Sequence, residues 1–209
     1  MSYSSMFCID KKYRGKRVQE YPNSWIFSPF IWHILEVTYM KKDENGRRLK
    51  VLSLFGESAW GDINTLMNNS EHTDERICWE LSNQNIFLTK DKEVIANAIL
   101  DFVKNHKDCI DDEMETQELI FKPHIIDRFN QVATDIKQLD ENKYPYFVFK
   151  NTSVDDTVEC WFYYDKKLRR HKRLNDWDNL DNEVVEIENQ KIKKFINITK
   201  YIAQQIIEI

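Results

Sequence analysis

The stretch Tyr21–Met40, YPNSWIFSPFIWHILEVTYM, concentrates more apolar and aromatic surface than any other segment of comparable length, and any fold this chain adopts has to bury it. Ser28 followed by Pro29 has the form of a helix start. The serine suits the N-cap, and the proline suits the first helical position, where a missing N–H costs nothing and φ is already helical. Phe27, just ahead, is placed to staple onto Trp32 and fix the angle at which the chain joins the helix. Ile31, Ile34, Leu35 and Thr38 form one stripe, while Phe30, Trp32, Val37 and Tyr39 leave little polar face. A helix apolar nearly all round is buried on most sides. This element is therefore expected at the centre of the core, with Trp32 among its buried side chains.

The rest of the chain is long enough to build around it. At 209 residues, 42% hydrophobic and 31% charged, it can bury a sizeable core without disulfides or metals. No apolar run approaches the roughly 20 residues that span a bilayer, so no membrane segment is expected. The N-terminus, MSYSSMFCIDKK, places its basic residues after the apolar run rather than before it, unlike a signal peptide, and a cytoplasmic location is expected. Cys8, Cys78, Cys109 and Cys160 are scattered, with no CxxC and no close His, which predicts reduced thiols rather than a zinc site or a disulfide framework.

Two further features narrow the function. The chain has only 4 glycines, and phosphate cradles, dinucleotide turns and nucleophile elbows all need glycine where backbone approaches a ligand. Nucleotide-binding enzymes are thereby disfavoured, and no cofactor is implied. The net charge of −5 is unevenly spread: residues 62–118 hold 5 Lys/Arg against 14 Asp/Glu, whereas residues 119–209 hold 15 of each. Such a field repels nucleic acid and attracts basic proteins, although an acidic surface also keeps a protein in solution.

In chain order, Ser4–Asp10 reads as a strand buried on both faces, and Lys11–Arg17 as a basic, solvated turn containing Gly15. After the central helix, Asp43-Glu44-Asn45-Gly46 is a turn and Leu49–Phe55 a strand. Asp62 and Thr73 are read as caps of two short helices, and Ile86–Thr89 as a brief strand. Asp91 is expected to cap an amphipathic helix carrying Val94, Ile95, Ala98, Ile99, Phe102 and Val103. A further helix starts at Pro123, with Ile125, Phe129, Val132, Ile136 and Leu139 on its inner face. Tyr144–Lys150 and Thr157–Tyr164 read as a hairpin, Glu183–Glu188 as a strand, and Gln190–Ile207 as a closing amphipathic helix. The expected fold is a single α+β domain over residues 1–209, with a mixed or antiparallel sheet and several amphipathic helices packed on it. A division near residues 107–122 is the alternative.

Candidate chemistry is sparse. Glu57-Ser58 and the pair His72 and Cys78 contain nucleophiles, but spacing places no base or oxyanion donor beside them. Asp155, Asp156 and Asp165-Lys166-Lys167 are a trace of a metal-dependent nuclease pattern, at too short a spacing. Asp108–Glu118 (DCIDDEMETQE) holds six acids but lacks the central glycine of a calcium loop, and reads as a solvated acidic loop. Asp108, Asp111, Asp112, Glu113 and Glu115 are nevertheless candidates for docking a basic partner. So are Asp176, Asp178 and Asp181 around Trp177, an aromatic that would anchor an interface.

The stretch NSWIFSPFIWHIL behind the strand SSMFCID, in an acidic, glycine-poor chain, resembles bacterial immunity proteins of toxin–immunity pairs, including those of contact-dependent inhibition. The resemblance implies a cytoplasmic protein that binds a cognate toxin domain and covers its active site, with no catalytic residue, metal or cofactor of its own. A metal-dependent nuclease or other hydrolase, and a phage or accessory adaptor, are the competing readings.

Overall fold

The computed structural model describes residues 2–12, 15–23, 26–47, 49, 59–116, 122–153, 162–165, 170–173, 183–196 and 201. Strand β1 (Ser2–Ile9) is buried throughout Ser4–Ile9, as its unbroken apolar run predicts. The chain then returns antiparallel as β2 (Gly15–Pro22), beginning inside the segment expected to be only a basic turn. Lys16, Arg17 and Glu20 face solvent from β2, which is the polar dress of an edge strand and the reason it shows no apolar run.

The expected central helix is α1 (Ser28–Tyr39), with Phe30, Ile31, Ile34 and Leu35 buried. Its start differs from the sequence expectation. Phe27 occupies the N-cap position, no side chain caps the helix, and the buried Ser28 Oγ has no hydrogen-bond partner among the described residues. Pro29 does stand in the first turn. The turn at Asp43–Gly46 forms as expected: Asp43 Oδ1 accepts the N–H groups of Asn45 and Arg47, and Gly46 takes a φ of 75°. The strand expected over Leu49–Phe55 lies, apart from Leu49, outside the described residues.

Helices α2 (Trp60–Asn69) and α3 (Thr73–Ser82) follow, then β3 (Ile86–Leu88), α4 (Lys92–Asn105), α5 (Lys107–Thr116) and α6 (Lys122–Lys137). Asp62 and Thr73 prove to be first-turn residues rather than caps. Asp91 does hold the N-cap position of α4, but its carboxylate is used elsewhere: Oδ2 accepts the backbone N–H of Ile187 at 3.0 Å. The last described strands are β4 (Tyr146–Ser153), β5 (Phe162–Asp165), β6 (Arg170–Arg173), β7 (Val184–Glu188) and β8 (Lys191–Phe195).

The fold is α+β, with a six-stranded mixed sheet in the order β2-β1-β4-β3-β7-β8. Among the described residues only β3 and β7 pair in parallel. Strand β4 lies antiparallel between β1, along Ser2–Ile9, and β3. Over Tyr146–Val148 both its edges are therefore filled. Of the hairpin expected between Tyr144–Lys150 and Thr157–Tyr164, residues 157–161 lie outside the described residues. Strand β5 pairs instead with β6 in a separate two-stranded sheet. The closing helix expected from Gln190 is also overturned over its first part. Asn189 and Gln190 take φ values of 50° and 63°, the left-handed pair of a tight hairpin turn, and Lys191–Phe195 runs back along β7.

One face of the sheet presents Met6, Cys8, Phe87, Phe147, Phe149 and Val185 to the helices, and the other buries Phe7, Ile9, Ile86, Tyr146, Val148 and Val184 with Tyr201. On the helical side the rings form a chain. Phe149 meets Phe27 at 5.3 Å, Phe27 meets Phe129 of α6 at 5.0 Å, and Phe129 stacks on Phe102 of α4 at 6.3 Å. The sheet edge is tied into the same layer by Tyr21, whose hydroxyl donates to Asp135 Oδ2 at 2.8 Å while the Arg128 guanidinium covers its ring.

Phe27 thus packs on the sheet and α6, whereas Trp32 is only half-buried and donates its indole N–H to Ser82 Oγ at 2.7 Å. Phe27→Ala should cost about 3–5 kcal/mol in urea unfolding, the usual loss for a buried aromatic, and Trp32→Ala distinctly less. The reverse order would place the weight of the core elsewhere.

Candidate functional site

The acidic segment expected to be a loop over Asp108–Glu118 is a helix through Thr116. Three local reasons account for this. Asp108 stands in the first turn, where a carboxylate opposes the positive end of the helix dipole. Lys107 pairs with Asp111 one turn on, and this partner holds the lysine above its ordinary pKa. Ile110 is fully buried and pins the segment to the core. The helix places the backbone of Asp108, Asp111, Asp112, Glu113 and Glu115 on one rigid element, with Asp108 exposed and Asp111 half-buried. The second acidic candidate set, Asp176, Trp177, Asp178 and Asp181, lies outside the described residues, as do Glu57-Ser58, Asp155, Asp156 and Lys166-Lys167.

At the start of α5 sits a polar constellation that sequence reasoning missed. His106, between α4 and α5, is buried, with its Nε2 3.0 Å from Oε1 of the buried Glu75. The contact is at ion-pair distance but off the N–H axis, so charge carries it rather than an in-line hydrogen bond. Tyr39, at the end of α1, donates its hydroxyl to Glu75 Oε2 at 2.5 Å. Thr38 Oγ1 lies 3.5 Å from His106 Nδ1, and the His106 ring packs on Phe102 at 4.6 Å. Burial pushes the Glu75 carboxyl up, but the His106 and Tyr39 contacts outweigh it and hold the group below the usual carboxylate range. Burial and the hydrogen bond to Glu75 push the Tyr39 hydroxyl well above its ordinary value. No sequence signal pointed here, because Glu75 passes for a first-turn acid and His106 for a polar helix end.

A second set ties α3 to the β7–β8 hairpin. Lys194 Nζ bridges Oε1 of the buried Glu80 and Oε2 of Glu183, each at 3.1 Å, and Glu80 Oε2 accepts from Asn85 at 2.5 Å. Burial raises the Glu80 carboxyl even so, while its two carboxylate neighbours raise Lys194 against burial. Glu75, Glu80 and Asp91 are thus three acids of the 62–118 segment spent inside the fold rather than on its surface.

The pair His72 and Cys78 is not brought together: His72 is exposed, whereas Cys78 is fully buried, its thiol pushed well up by desolvation and aimed at Ala98 O. Among the described residues no group of three or more His, Cys, Asp or Glu is placed to hold a metal ion, and no helix is long and apolar enough to cross a membrane. A cavity of about 590 Å³ opens beside Tyr39, with Met40, Leu49 and Leu66 as apolar walls and Lys41 and Asp62 at its sides. No protein-family model matches this chain, and no curated protein or solved structure proves similar to it.

The depressed Glu75 carboxyl carries a sign. A carboxyl lowered by folding contributes stability above its unfolded value, about 4.3, and that contribution is lost as pH falls through the folded value. Glu75→Gln should therefore flatten the acid limb of the stability curve below about pH 4.3, read by urea unfolding at stepped pH. Parallel limbs for parent and variant would show that Glu75 gains nothing from its partners.

Proposed function

We propose that this chain is a protein-binding inhibitor of the immunity type, which docks on a basic toxin domain and covers its active site. The observation that carries the reading is the form of the acidic segment. Residues Lys107–Thr116 are a helix pinned by the buried Ile110, with Asp108 exposed on it, so the acidic segment stands on a frame that is ordered before any partner arrives. Ordering a loop on binding costs free energy that a preformed helix has already met, and a complementary field speeds encounter. A toxin that handles nucleic acid is positive where its substrate sits, so a row of carboxylates matches that surface in the way phosphates do. The acidic balance of residues 62–118, and the resemblance of NSWIFSPFIWHIL and SSMFCID to immunity proteins, support the same reading.

The test reverses charge on each candidate surface separately. Asp108, Asp112 and Glu113 are changed to Lys in one variant, and Asp176, Asp178 and Asp181 in a second. Association with the basic protein recovered on the parent chain is then timed at low and high salt. At least one variant should associate about tenfold more slowly and lose most of its salt dependence. Rates equal to the parent in both variants, with no effect of salt, would move the interface off the acidic surfaces.

A further inference from the structure

We propose that the groove beside Tyr39 is the apolar anchor site of the partner interface, and that it takes a large apolar side chain projecting from the basic protein that α5 attracts. Helical spacing explains why the groove exists. In α2, Ile63 and Met67 are buried, whereas Asp62, Thr65 and Leu66, at i, i+3 and i+4, share the adjoining side and line the groove. Tyr39 at the end of α1, Met40 and Lys41 after it, and Leu49 complete the lining. Among the described residues the large apolar side chains left exposed are Leu49, Trp60, Leu66, Val94 and Ile196. Two of them, Leu49 at 64% and Leu66 at 42%, border this one space of about 590 Å³.

Each wall is fixed by contacts of its own. The Leu49 N–H donates to Lys41 O at 3.1 Å and the Asp43 N–H to Arg47 O at 2.7 Å, so the turn folds Leu49 back beside the end of α1. The Tyr39 hydroxyl is held by Glu75, which sets its ring. Helix α2 is tied down by its buried residues and by the Trp79 indole N–H, which donates to Asn64 Oδ1 at 3.1 Å. Apolar surface held in water in a preformed shape gains free energy when it is covered, and little ordering cost opposes that gain.

The chemistry of the lining selects the occupant. A small molecule needs convergent polar groups to orient it and walls to enclose it. Here the Tyr39 and Thr65 hydroxyls spend their protons on Glu75 and on Gly61 O, Lys41 and Asp62 stand in solvent with opposite charges, and Leu49 is mostly exposed. An apolar side chain whose own backbone covers the rim suits such an opening. A second copy of this chain is disfavoured by the net charge of −5, which would set acidic surface against acidic surface. A basic partner meets no such repulsion, and α1 packs against both α2 and α5, so groove and acidic helix are seated on the same element. A stable interface covers about 800 Å² on each side, more than one groove offers, so a protein seated there also meets the neighbouring elements. Helix α5 then steers the encounter, and the groove supplies the desolvated anchor that slows release. The choice of partner rests on the reading of α5 as the docking helix, but the apolar preference of the groove does not.

The experiment titrates the full chain with short peptides and reads backbone amide shifts by NMR. The probe is the peptide Lys-Ser-Phe-Ser-Lys, compared with one carrying Ala in place of Phe and with one carrying Glu in place of both Lys. The phenylalanine peptide should shift the amides of Tyr39, Lys41, Leu49, Thr65 and Leu66 and bind at least about tenfold more tightly than the alanine peptide. The Glu peptide should bind at least about threefold more weakly at low salt. A Leu49→Ser, Leu66→Ser double variant should lose the preference for phenylalanine and keep its fold, since both side chains are exposed. Shifts absent from the groove, equal affinity for the phenylalanine and alanine peptides, or an undiminished preference in the variant would overturn the anchor site. Equal binding of the Glu peptide would overturn the basic partner. Indole binding as tightly as the phenylalanine peptide would give the groove to a small ligand, and a dimer in sedimentation that the double variant dissolves would give it to a second copy, each against the proposal. Should the variant not fold, the peptide comparison on the parent decides. Charge reversal on α5 alters no lining residue and the peptides carry no toxin surface, so failure of one reading is told apart from failure of the other.

Discussion

Everything else in the structure hangs on the pairing of β4 with β1. Residues 146–153 lie antiparallel to residues 2–9 along the whole of both strands, joining two ends of the chain that are far apart in sequence. Strand β4 then offers its other edge to β3, which in turn receives β7 in parallel. Because the strand is interior and alternates Phe147 and Phe149 with Tyr146 and Val148, it needs apolar cover on both faces. The helices provide that cover on one side. The chain of rings from Phe149 through Phe27 and Phe129 to Phe102 is the path by which the position of the sheet fixes that of α1, α4 and α6.

That same path ends on His106, since its ring lies against Phe102. The joint that sets α5 on the surface is thus an extension of the core, and the buried acids have structural work of their own. Glu75 fastens α3 to α1 and to the α4–α5 joint, Glu80 fastens α3 to β8 through Lys194, and Asp91 fastens the start of α4 to β7. Each is a charge taken out of water and answered by a specific partner, an arrangement costly to break from one side only. An acidic composition therefore reports two different things in this chain. Part of it is internal bracing, and part, as at Asp108 on α5, faces solvent.

Long elements with one dominant period were legible in the sequence. The apolar stripes of α1, α4 and α6 and the unbroken run of β1 announced themselves because burial alone determines their patterns. The misses share a physical cause, in that tertiary partners decide them. Strand β2 is a polar edge recognisable only beside β1. Strand β8 has Ile192 and Phe195 at a spacing that also fits a helix, and the deciding feature is the left-handed turn at Asn189 and Gln190, where only the asparagine is a customary turn residue. The end of the hairpin expected after β4, Phe162–Tyr164, pairs with β6 instead, a choice of partner that local pattern does not carry. Helix α5 looks like a loop in the sequence because its charges are conspicuous, while its buried anchor Ile110 stands in no apolar stripe. Of the candidate surface, the acids of α5 were legible by composition, whereas the constellation of Tyr39, Glu75 and His106 was not, since its members stand far apart in the chain and in no motif.

The claim that β1 and β4 form the unit on which the rest is assembled is tested most directly by residue-resolved hydrogen exchange under native conditions. Amides of Met6–Cys8 and Phe147–Phe149 should be the slowest in the protein and exchange only with global unfolding, while those of the edge strand β2 exchange through smaller openings. Amides of Phe147–Phe149 exchanging as fast as those of β2, with slow exchange confined to the helices, would contradict this account.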